Sequence, residues 1–277
     1  MPNQHEQAAA FRALHTAPAT FVIPNVWDGG SAAIMAGLGF PALATSSAAC
    51  AATLGRLDGQ ITRAEALAHA RQVIAATALP VSADLENGFG AAPEAAAETI
   101  RLAGEAGLVG GSIEDASGDE RAPIYDFAHA VERIAAAVEV ARRLPFPFVL
   151  TARAENFIHG RADLDDTVRR LQAFERAGAD VLFAPCLPDL AAVRTVCAAL
   201  ARPVNFMVGV PGASFSVPEL TAAGVKRISL STTLYRAAMT GLLAAGREVQ
   251  ESGTFGYLDT IMRGADLSKY LRGKPQA

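Results

Sequence analysis

The chain has 277 residues, 51% of them hydrophobic and 19% charged, and its mean hydropathy is +0.23. This length and apolar content suit one large α/β domain better than two small ones. The formal net charge of −4 argues against nucleic acid or an anionic membrane surface as a partner, because both attract basic patches.

Neither export nor membrane insertion is indicated by the sequence. The N-terminal segment lacks a basic stretch followed by an apolar one, which a secretory signal requires. No apolar run reaches the roughly 20 residues of a spanning helix. The cysteines, Cys50, Cys186 and Cys197, form no CxxC pair, which is typical of a reducing compartment. We therefore expect a cytoplasmic chain.

The chain begins with a helical pattern over residues 1–18. Eight short apolar runs typical of buried strands follow, separated by longer stretches with apolar residues at helical spacing. Several of these helical stretches end in Ala-Gly just before the next strand, as βα repeats do. The predicted strands are 21–25, 41–47, 80–86, 110–115, 147–153, 179–185, 203–209 and 226–232.

Eight evenly spaced βα units favour a closed (β/α)8 barrel of the TIM type over an open doubly wound sheet. No linker rich in Pro or Ser divides the chain, so residues 1–277 form one predicted domain. Within it, 1–18 would be an extra helix that closes the bottom of the barrel, 20–250 the barrel itself, and 251–277 a C-terminal helix and tail. The C-terminal helical patterns have little polar surface, which suggests a partner subunit.

Acidic side chains end the third and fourth predicted strands, at the edge where such barrels carry their functional groups. Asp84 and Glu86 are two residues apart on one strand and would share a face, and Glu114 ends the neighbouring strand. Converging negative charges repel unless they are protonated or neutralised, so a bound cation is the simplest explanation. Oxygen ligands without His or Cys favour Mg²⁺, or alternatively Mn²⁺, over zinc.

Arg153 ends the fifth predicted strand beside these acids. It could form an ion pair with Asp115 or Glu155, or bind a substrate carboxylate with both prongs of its guanidinium. We favour the second role. A single acid at a strand end is often a helix cap or a solvated loop residue. We expect a functional site here because the acids of strands three and four occur together with Arg153 and with Asp58, which lies on the loop after strand two.

Six motifs occur in order along the chain: PNVWDGGSA, TSSA, LGRLDGQIT, SADLENGFG, SIEDA and TARAENF. Over roughly residues 20–240 the chain thereby resembles the isocitrate lyase/phosphoenolpyruvate mutase superfamily. The resemblance implies a Mg²⁺-dependent barrel that acts on 2-oxo acids or their enolates. It also implies a homodimer or homotetramer in which a C-terminal helix is swapped between subunits.

The resemblance further implies roles for individual residues. The metal ligands, direct or through water, would be Asp84, Glu86 and Glu114. Many members have Asp where this chain has Glu86, which leaves its direct contact with the metal open. Asp58 would lie near the reacting centre, and Arg153 would stabilise the enolate. The donors to the carboxylate and 2-oxo oxygen of the substrate would be Ser46, Ser47 and Ala48. The proton donor to the enolate carbon is open among Asp58, Tyr125, Tyr235, His159 and a metal-bound water.

The segment after strand four, SIEDASGDERAPIYDFAHA, separates the possible reactions. It lacks the KKCGH motif of isocitrate and methylisocitrate lyases and the Lys and Asn of phosphoenolpyruvate mutases. This favours a carbon–carbon lyase that forms a pyruvate enolate from a small 2-oxo dicarboxylate or a substituted malate, as an oxaloacetate decarboxylase does. The alternatives are P–C bond chemistry of the phosphoenolpyruvate mutase or phosphonopyruvate hydrolase type, and a barrel that binds a keto acid without turnover.

Overall fold

A computed structural model describes residues 2–272. Its centre is one sheet of eight parallel strands in the order β1-β8-β7-β6-β5-β4-β3-β2. The two ends of that order, β1 and β2, are joined by one bridge between Asn25 and Ala44, so the sheet forms a nearly closed barrel. The strands are β1 (Phe21–Ile23), β2 (Leu43–Ala44), β3 (Val81–Asp84), β4 (Gly110–Glu114), β5 (Val149–Arg153), β6 (Val181–Phe183), β7 (Val204–Met207) and β8 (Arg227–Ser229).

Helices alternate with the strands, and the predicted TIM-type (β/α)8 fold is confirmed. No helix within residues 2–272 is long and apolar enough to cross a membrane. The helices are α1 (Gln4–Thr16), α2 (Gly29–Gly37), α3 (Ser47–Thr53), α4 (Arg63–Ala75), α5 (Pro93–Glu105), α6 (Phe127–Arg143), α7 (Leu164–Ala177), α8 (Leu190–Ala198), α9 (Val217–Ala222), α10 (Thr233–Ser252), a 3₁₀ turn (Gly256–Asp259) and α11 (Gly264–Leu271).

The strands are shorter than the sequence predicts, and two of the differences concern the candidate site. The third predicted strand runs to Glu86, whereas β3 ends at Asp84, because Glu86 has a left-handed backbone with a φ of 48°. The second predicted strand runs to Ser47, whereas β2 ends before it. Ser46 then caps α3, its Oγ accepting a backbone N–H of that helix at 3.4 Å.

α1 lies across the amino-terminal end of the barrel. The side chain of Gln4 donates to the carbonyl oxygens of Gly104 and Leu108, which precede β4. Phe11 is fully buried, and a Cβ on Gly110 would lie only 2.7 Å from its ring. Glycine at position 110 therefore makes room for the phenylalanine that plugs this end of the barrel.

The C-terminal helices contribute little to the core. No residue of α10 is buried, and Leu242 and Leu243 are 65% and 54% exposed. α11 returns to α2, where the ring of Tyr270 packs on Gly37. Further exposed apolar side chains of this part are Val249, Phe255, Leu258, Ile261, Met262, Leu267 and Leu271. Residues 273–277 of the predicted tail lie outside the described residues.

Candidate active site

A cavity of about 800 Å³ opens at the carboxyl-terminal ends of the barrel strands. β3, β4 and β5 end there with Asp84, Glu114 and Arg153. The structure brings all of the predicted site residues to the cavity wall, namely Ser46, Ser47, Ala48, Asp58, Asp84, Glu86, Glu114, Arg153 and His159. The wall therefore combines several charged groups with apolar side chains, as ligand pockets commonly do.

Arg153 is the centre of a buried network of ion pairs. Its Nη1 lies 3.0 Å from Asp84 Oδ1 and 3.1 Å from Glu114 Oε2, and its Nε lies 2.9 Å from Glu155 Oε1. The ring of Phe183 packs on the guanidinium, with its centroid 5.1 Å from Cζ. Nη2 makes no hydrogen bond to any of residues 2–272. Arg153 is thus held in place with one nitrogen available to a ligand.

Of the two ion-pair partners considered from the sequence, Arg153 takes Glu155. Asp115 instead pairs with Arg170 at 3.0 Å and accepts the backbone N–H of Glu155 at 2.8 Å. Asp115 therefore anchors the backbone of the residue that orients Arg153. Pairing with acids and contact with a substrate are compatible here, because the acids occupy only Nε and Nη1.

Ser47 connects two of the acids. Its Oγ lies 3.0 Å from Asp84 Oδ2 and 2.9 Å from Asp58 Oδ1, and its backbone N–H donates to Asp84 Oδ2 at 3.2 Å. The hydroxyl has one proton and can donate to only one carboxylate at a time. Burial, followed by the charge of Asp84, raises the pKa of Asp58. Asp58 lies on an exposed loop between α3 and α4, and its carboxyl retains a proton more readily than an aspartate in bulk water does.

The pKa values of Glu86 and Glu114 are also raised. Burial, followed by the charges of Asp84 and Asp58, raises the pKa of Glu86 to about 7. Its Oε1 is buried and has no hydrogen-bond partner among the described residues. Burial raises the pKa of Glu114 well above its usual value, although Arg153 opposes this shift. A buried, unpartnered carboxylate oxygen beside other acids requires a cation or a proton.

The donor set fits a hard divalent cation with an incomplete protein shell. Within residues 2–272, no three His, Cys, Asp or Glu side chains are grouped so that they could hold a metal ion by themselves. Arg153 lies between Asp84 and Glu114, so the three predicted acids do not close around one point. Mg²⁺ commonly takes one or two carboxylates and completes its octahedron with water and substrate oxygens. Asp84 and the unpartnered Oε1 of Glu86 meet that requirement.

The other predicted residues occupy the cavity wall in different ways. His159 lies on an exposed loop after β5, and only its backbone N–H is engaged, by the carbonyl oxygen of Glu155. The hydroxyl of Ser46 serves as the cap of α3, and Ala48 lies in the first turn of that helix. Within the described residues, none of these three side chains forms a hydrogen bond with the carboxylates of the site.

Sequence reasoning missed three residues that fix the acids. Thr45 Oγ1 accepts the backbone N–H of Asp84 at 3.1 Å, and Ser112 Oγ lies 3.5 Å from Asp84 Oδ1. Glu155 was considered only as an ion-pair partner, yet it orients Arg153 through Nε. Thr45 and Ser112 are the first residues of the motifs TSSA and SIEDA, so their place in those motifs was the available signal.

Arg133 on α6 was missed as well, and it holds the loop that follows Glu86. Its side chain is almost fully buried, and its Nη1 donates to the carbonyl oxygens of Gly90 and Ala91 at 2.6 Å and 2.5 Å. Its Nη2 contacts the carbonyl oxygen of Asn87. No sequence signal marks this role, because an arginine in a helical pattern usually lies at the surface.

Comparison with known proteins identifies one family. A family model described as phosphoenolpyruvate phosphomutase matches residues 11–250. Oxaloacetate decarboxylase from Bradyrhizobium diazoefficiens is 30% identical over 79% of this chain and 76% of that protein. A solved structure from Burkholderia cenocepacia J2315, named as a candidate lyase/mutase, shares 53% identity over 96% of both chains with a TM-score of 0.94. The structure of 2,3-dimethylmalate lyase, a PEP mutase/isocitrate lyase superfamily member, shares 28% identity over 98% of this chain and 95% of that one, with a TM-score of 0.86.

The match to the family model covers most of the chain. Residues 11–250 contain every strand of the barrel and all of the predicted site residues. The resemblance expected from the six motifs is confirmed. The chain belongs to the phosphoenolpyruvate phosphomutase family and is an enzyme of the isocitrate lyase/phosphoenolpyruvate mutase superfamily.

Proposed function

We propose that this chain is a Mg²⁺-dependent carbon–carbon lyase with an oxaloacetate decarboxylase-like reaction. Its substrate would be a small 2-oxo dicarboxylate, which it decarboxylates to a pyruvate enolate, or a substituted malate, which it cleaves between C2 and C3 to a 2-oxo acid and the enolate of a second carboxylate. The observation that carries the proposal is the Arg153 network, which holds a guanidinium with one available nitrogen beside Asp84 in the cavity that also contains Glu86. Relatives named oxaloacetate decarboxylase and 2,3-dimethylmalate lyase support this substrate class.

Asp84 and Glu86 would hold the metal ion, directly or through water, and Glu114 is a further acid of the same cavity. Mn²⁺ is an alternative to Mg²⁺. When bound, the ion supplies positive charge where the enolate oxygen becomes negative. Ser47 and Arg153 occupy the two oxygens of Asp84 and orient its carboxylate in advance. The Oε1 atom of Glu86 is buried and has no hydrogen-bond donor beside it among the described residues, so a bound cation would compensate its charge.

Arg153 would bind the substrate oxygen that carries charge in the transition state. Its Nη2 is the nitrogen that no acid occupies, and the three ion pairs keep the guanidinium from reorienting during the reaction. A charge that is held in place before the reaction stabilises a developing enolate without a reorganisation cost. The donors to the substrate carboxylate would be Ser46, Ser47 and Ala48.

Asp58 is the proton donor that the geometry favours. Its pKa is raised by burial and by Asp84, and it lies against the hydroxyl of Ser47 inside the cavity. His159 lines the same cavity from its exposed loop and is the second candidate. Tyr125 and Tyr235, the two tyrosines considered from the sequence, are not part of the cavity wall.

The assembly proposed with this function is a homodimer or homotetramer in which C-terminal helices are exchanged between subunits. α10 exposes Leu242 and Leu243 and buries none of its residues, so a second subunit would remove a large apolar surface from water. A cytoplasmic location is proposed as well, since the cysteines of the structure are free thiols.

Oxaloacetate turnover measured across a Mg²⁺ titration tests the proposal. We expect pyruvate formation that depends on Mg²⁺ and is lost in Asp84→Asn. Glu105→Gln, an exposed acid on α5, is the matched control and should retain activity. Release of phosphate from phosphonopyruvate would instead favour P–C bond chemistry. Metal binding without turnover of any 2-oxo acid would favour a keto-acid-binding barrel.

A further inference from the structure

The inner part of the cavity contains a buried cation that the proposed reaction does not use. Arg227 is the first residue of β8, is only 6% exposed, and lines the cavity together with Asn205 and Ser229. The interior of a (β/α)8 barrel is usually filled by branched apolar side chains. A charged side chain in this position therefore requires an explanation.

All partners of the Arg227 guanidinium are neutral. Its Nε donates to Asn205 Oδ1 at 2.7 Å and its Nη2 to Thr151 Oγ1 at 2.9 Å, while Nη1 lies 3.4 Å from His15 Nε2. His15 is uncharged at neutral pH, because burial, followed by the charge of Arg227, lowers its pKa to about 3. No carboxylate within residues 2–272 forms an ion pair with Arg227, and burial lowers its pKa to about 9.

Arg227 lies directly inward of the Arg153 network. Thr151, whose hydroxyl accepts a hydrogen bond from Arg227, precedes Arg153 by two residues on β5 and shares its face. Thr151 and Arg153 are therefore about 7 Å apart along the strand. The sheet register also links the two arginines, because Arg153 pairs with Phe183, Phe183 with Asn205, and Asn205 with Arg227. Both arginines face one continuous cavity.

Three hydrogen bonds leave this guanidinium incompletely satisfied. A guanidinium has five N–H donors, so two remain on Arg227 beyond the three bonds to neutral groups. A buried charge without a counter-charge is costly, and the cavity beside Arg227 is open to a ligand. The planar fork of arginine matches a carboxylate in shape and charge.

We propose that Arg227, with Asn205, forms an anion subsite beside Ser229 at the inner end of the cavity and binds a carboxylate group of the substrate there. This subsite selects a dicarboxylate whose second carboxylate extends inward past Arg153. The assignment of that group to a 2-oxo dicarboxylate rests on the proposed function, whereas the anion site itself does not.

Ser229→Asp is the variant that tests the subsite, with Ser229→Ala as its control. Ser229 follows Arg227 by two residues on β8 and shares its face, so an aspartate there supplies the absent counter-charge and fills the place of the anion. Arg227→Gln, which removes the charge, serves as the second variant if Ser229→Asp does not fold.

Two measurements that need no turnover decide the proposal. In crystals soaked in sodium bromide, the anomalous signal should show bromide beside Arg227 in the wild type and Ser229→Ala but not in Ser229→Asp. By calorimetry with Mg²⁺, Ser229→Asp should bind 3,3-difluorooxaloacetate at least about tenfold more weakly than Ser229→Ala, with oxalate changed less than about twofold. Absence of bromide from the wild type, or equal affinity of both variants for 3,3-difluorooxaloacetate, would overturn it. Failure of the wild type to turn over oxaloacetate would defeat the proposed function and leave this result standing.

Discussion

Arg133→Met should destabilise the protein and weaken its cation site, although Arg133 touches no predicted ligand. Of the carbonyl oxygens that Arg133 contacts, those of Asn87 and Gly90 have no other donor among the described residues, whereas that of Ala91 also contacts His129 Nε2 at 2.9 Å. Leaving a buried carbonyl unpaired costs about 1–3 kcal/mol. Two of them amount to roughly 2–6 kcal/mol in the free energy of unfolding at most, because Asn87 and Gly90 are only half-buried. Methionine keeps much of the apolar stem but donates nothing.

The functional consequence follows from the position of the loop. Residues 87–92 directly follow Glu86, whose left-handed backbone depends on where that loop is held. We expect the affinity for Mn²⁺, followed by electron paramagnetic resonance, to fall by about tenfold or more, which corresponds to roughly 1.4 kcal/mol. Urea denaturation of the same sample would measure the loss of stability.

Arg142→Met provides the matched control on the same helix. Arg142 is exposed and makes one bond, to the carbonyl oxygen of Gly178 at 2.9 Å, so its loss should cost about 1 kcal/mol or less and leave Mn²⁺ affinity unchanged. If Arg133→Met were as stable as Arg142→Met and bound Mn²⁺ with wild-type affinity, the assignment of Arg133 as the residue that holds this loop would be wrong.

Three further predictions concern charge and assembly. Arg153→Lys should lower kcat/KM for oxaloacetate by at least about tenfold, since lysine cannot hold several acids and a substrate at once; wild-type kinetics would remove Arg153 from the site. The pKa of His15 is about 6.5 in the unfolded state and about 3 in the folded state, so between these values only the unfolded state binds the proton. The free energy of unfolding should therefore fall as the pH drops from 6.5 to 3, by roughly 5 kcal/mol at most. His15→Gln should flatten that dependence in urea titrations, and an unchanged slope would contradict the assignment. Replacing both Leu242 and Leu243 by Asp should shift the mass in light scattering towards the monomer, and an unchanged mass would argue against α10 as the interface.

Much of the fold could be predicted because its signals are local. Each observed strand lies inside a predicted range, since short apolar runs and helical spacing are visible in neighbouring residues. The candidate site followed from one rule of topology, that the strand ends of a barrel meet at one edge. That rule alone brings Asp84, Glu114 and Arg153 to one cavity.

The features of the site that could not be predicted depend on contacts between distant parts of the chain. The choice of Glu155 over Asp115 as the partner of Arg153 is decided by where α7 places Arg170. The left-handed backbone of Glu86 ends β3 two residues before the predicted end, which no local pattern reveals. Arg227 lies near the start of a predicted strand, but the sequence does not indicate which way its side chain points. The structure indicates that it faces inward and has no acidic partner among the described residues.

The single bridge between β1 and β2 leaves the barrel with one side that is weaker than the others. Asn25 reinforces this side, because its Nδ2 donates to the carbonyl oxygen of Thr45 at 2.7 Å and its Oδ1 accepts the backbone N–H of Leu230 at 2.8 Å. Ser46 and Ser47 follow Thr45 directly. Any separation of β1 from β2 would therefore move these serines relative to the acids at the ends of β3 and β4. Asn25 therefore adds two hydrogen bonds to a seam that is also held by the backbone bonds of Ala44 with Pro24 and Val26, and its replacement should loosen this side of the barrel before the others.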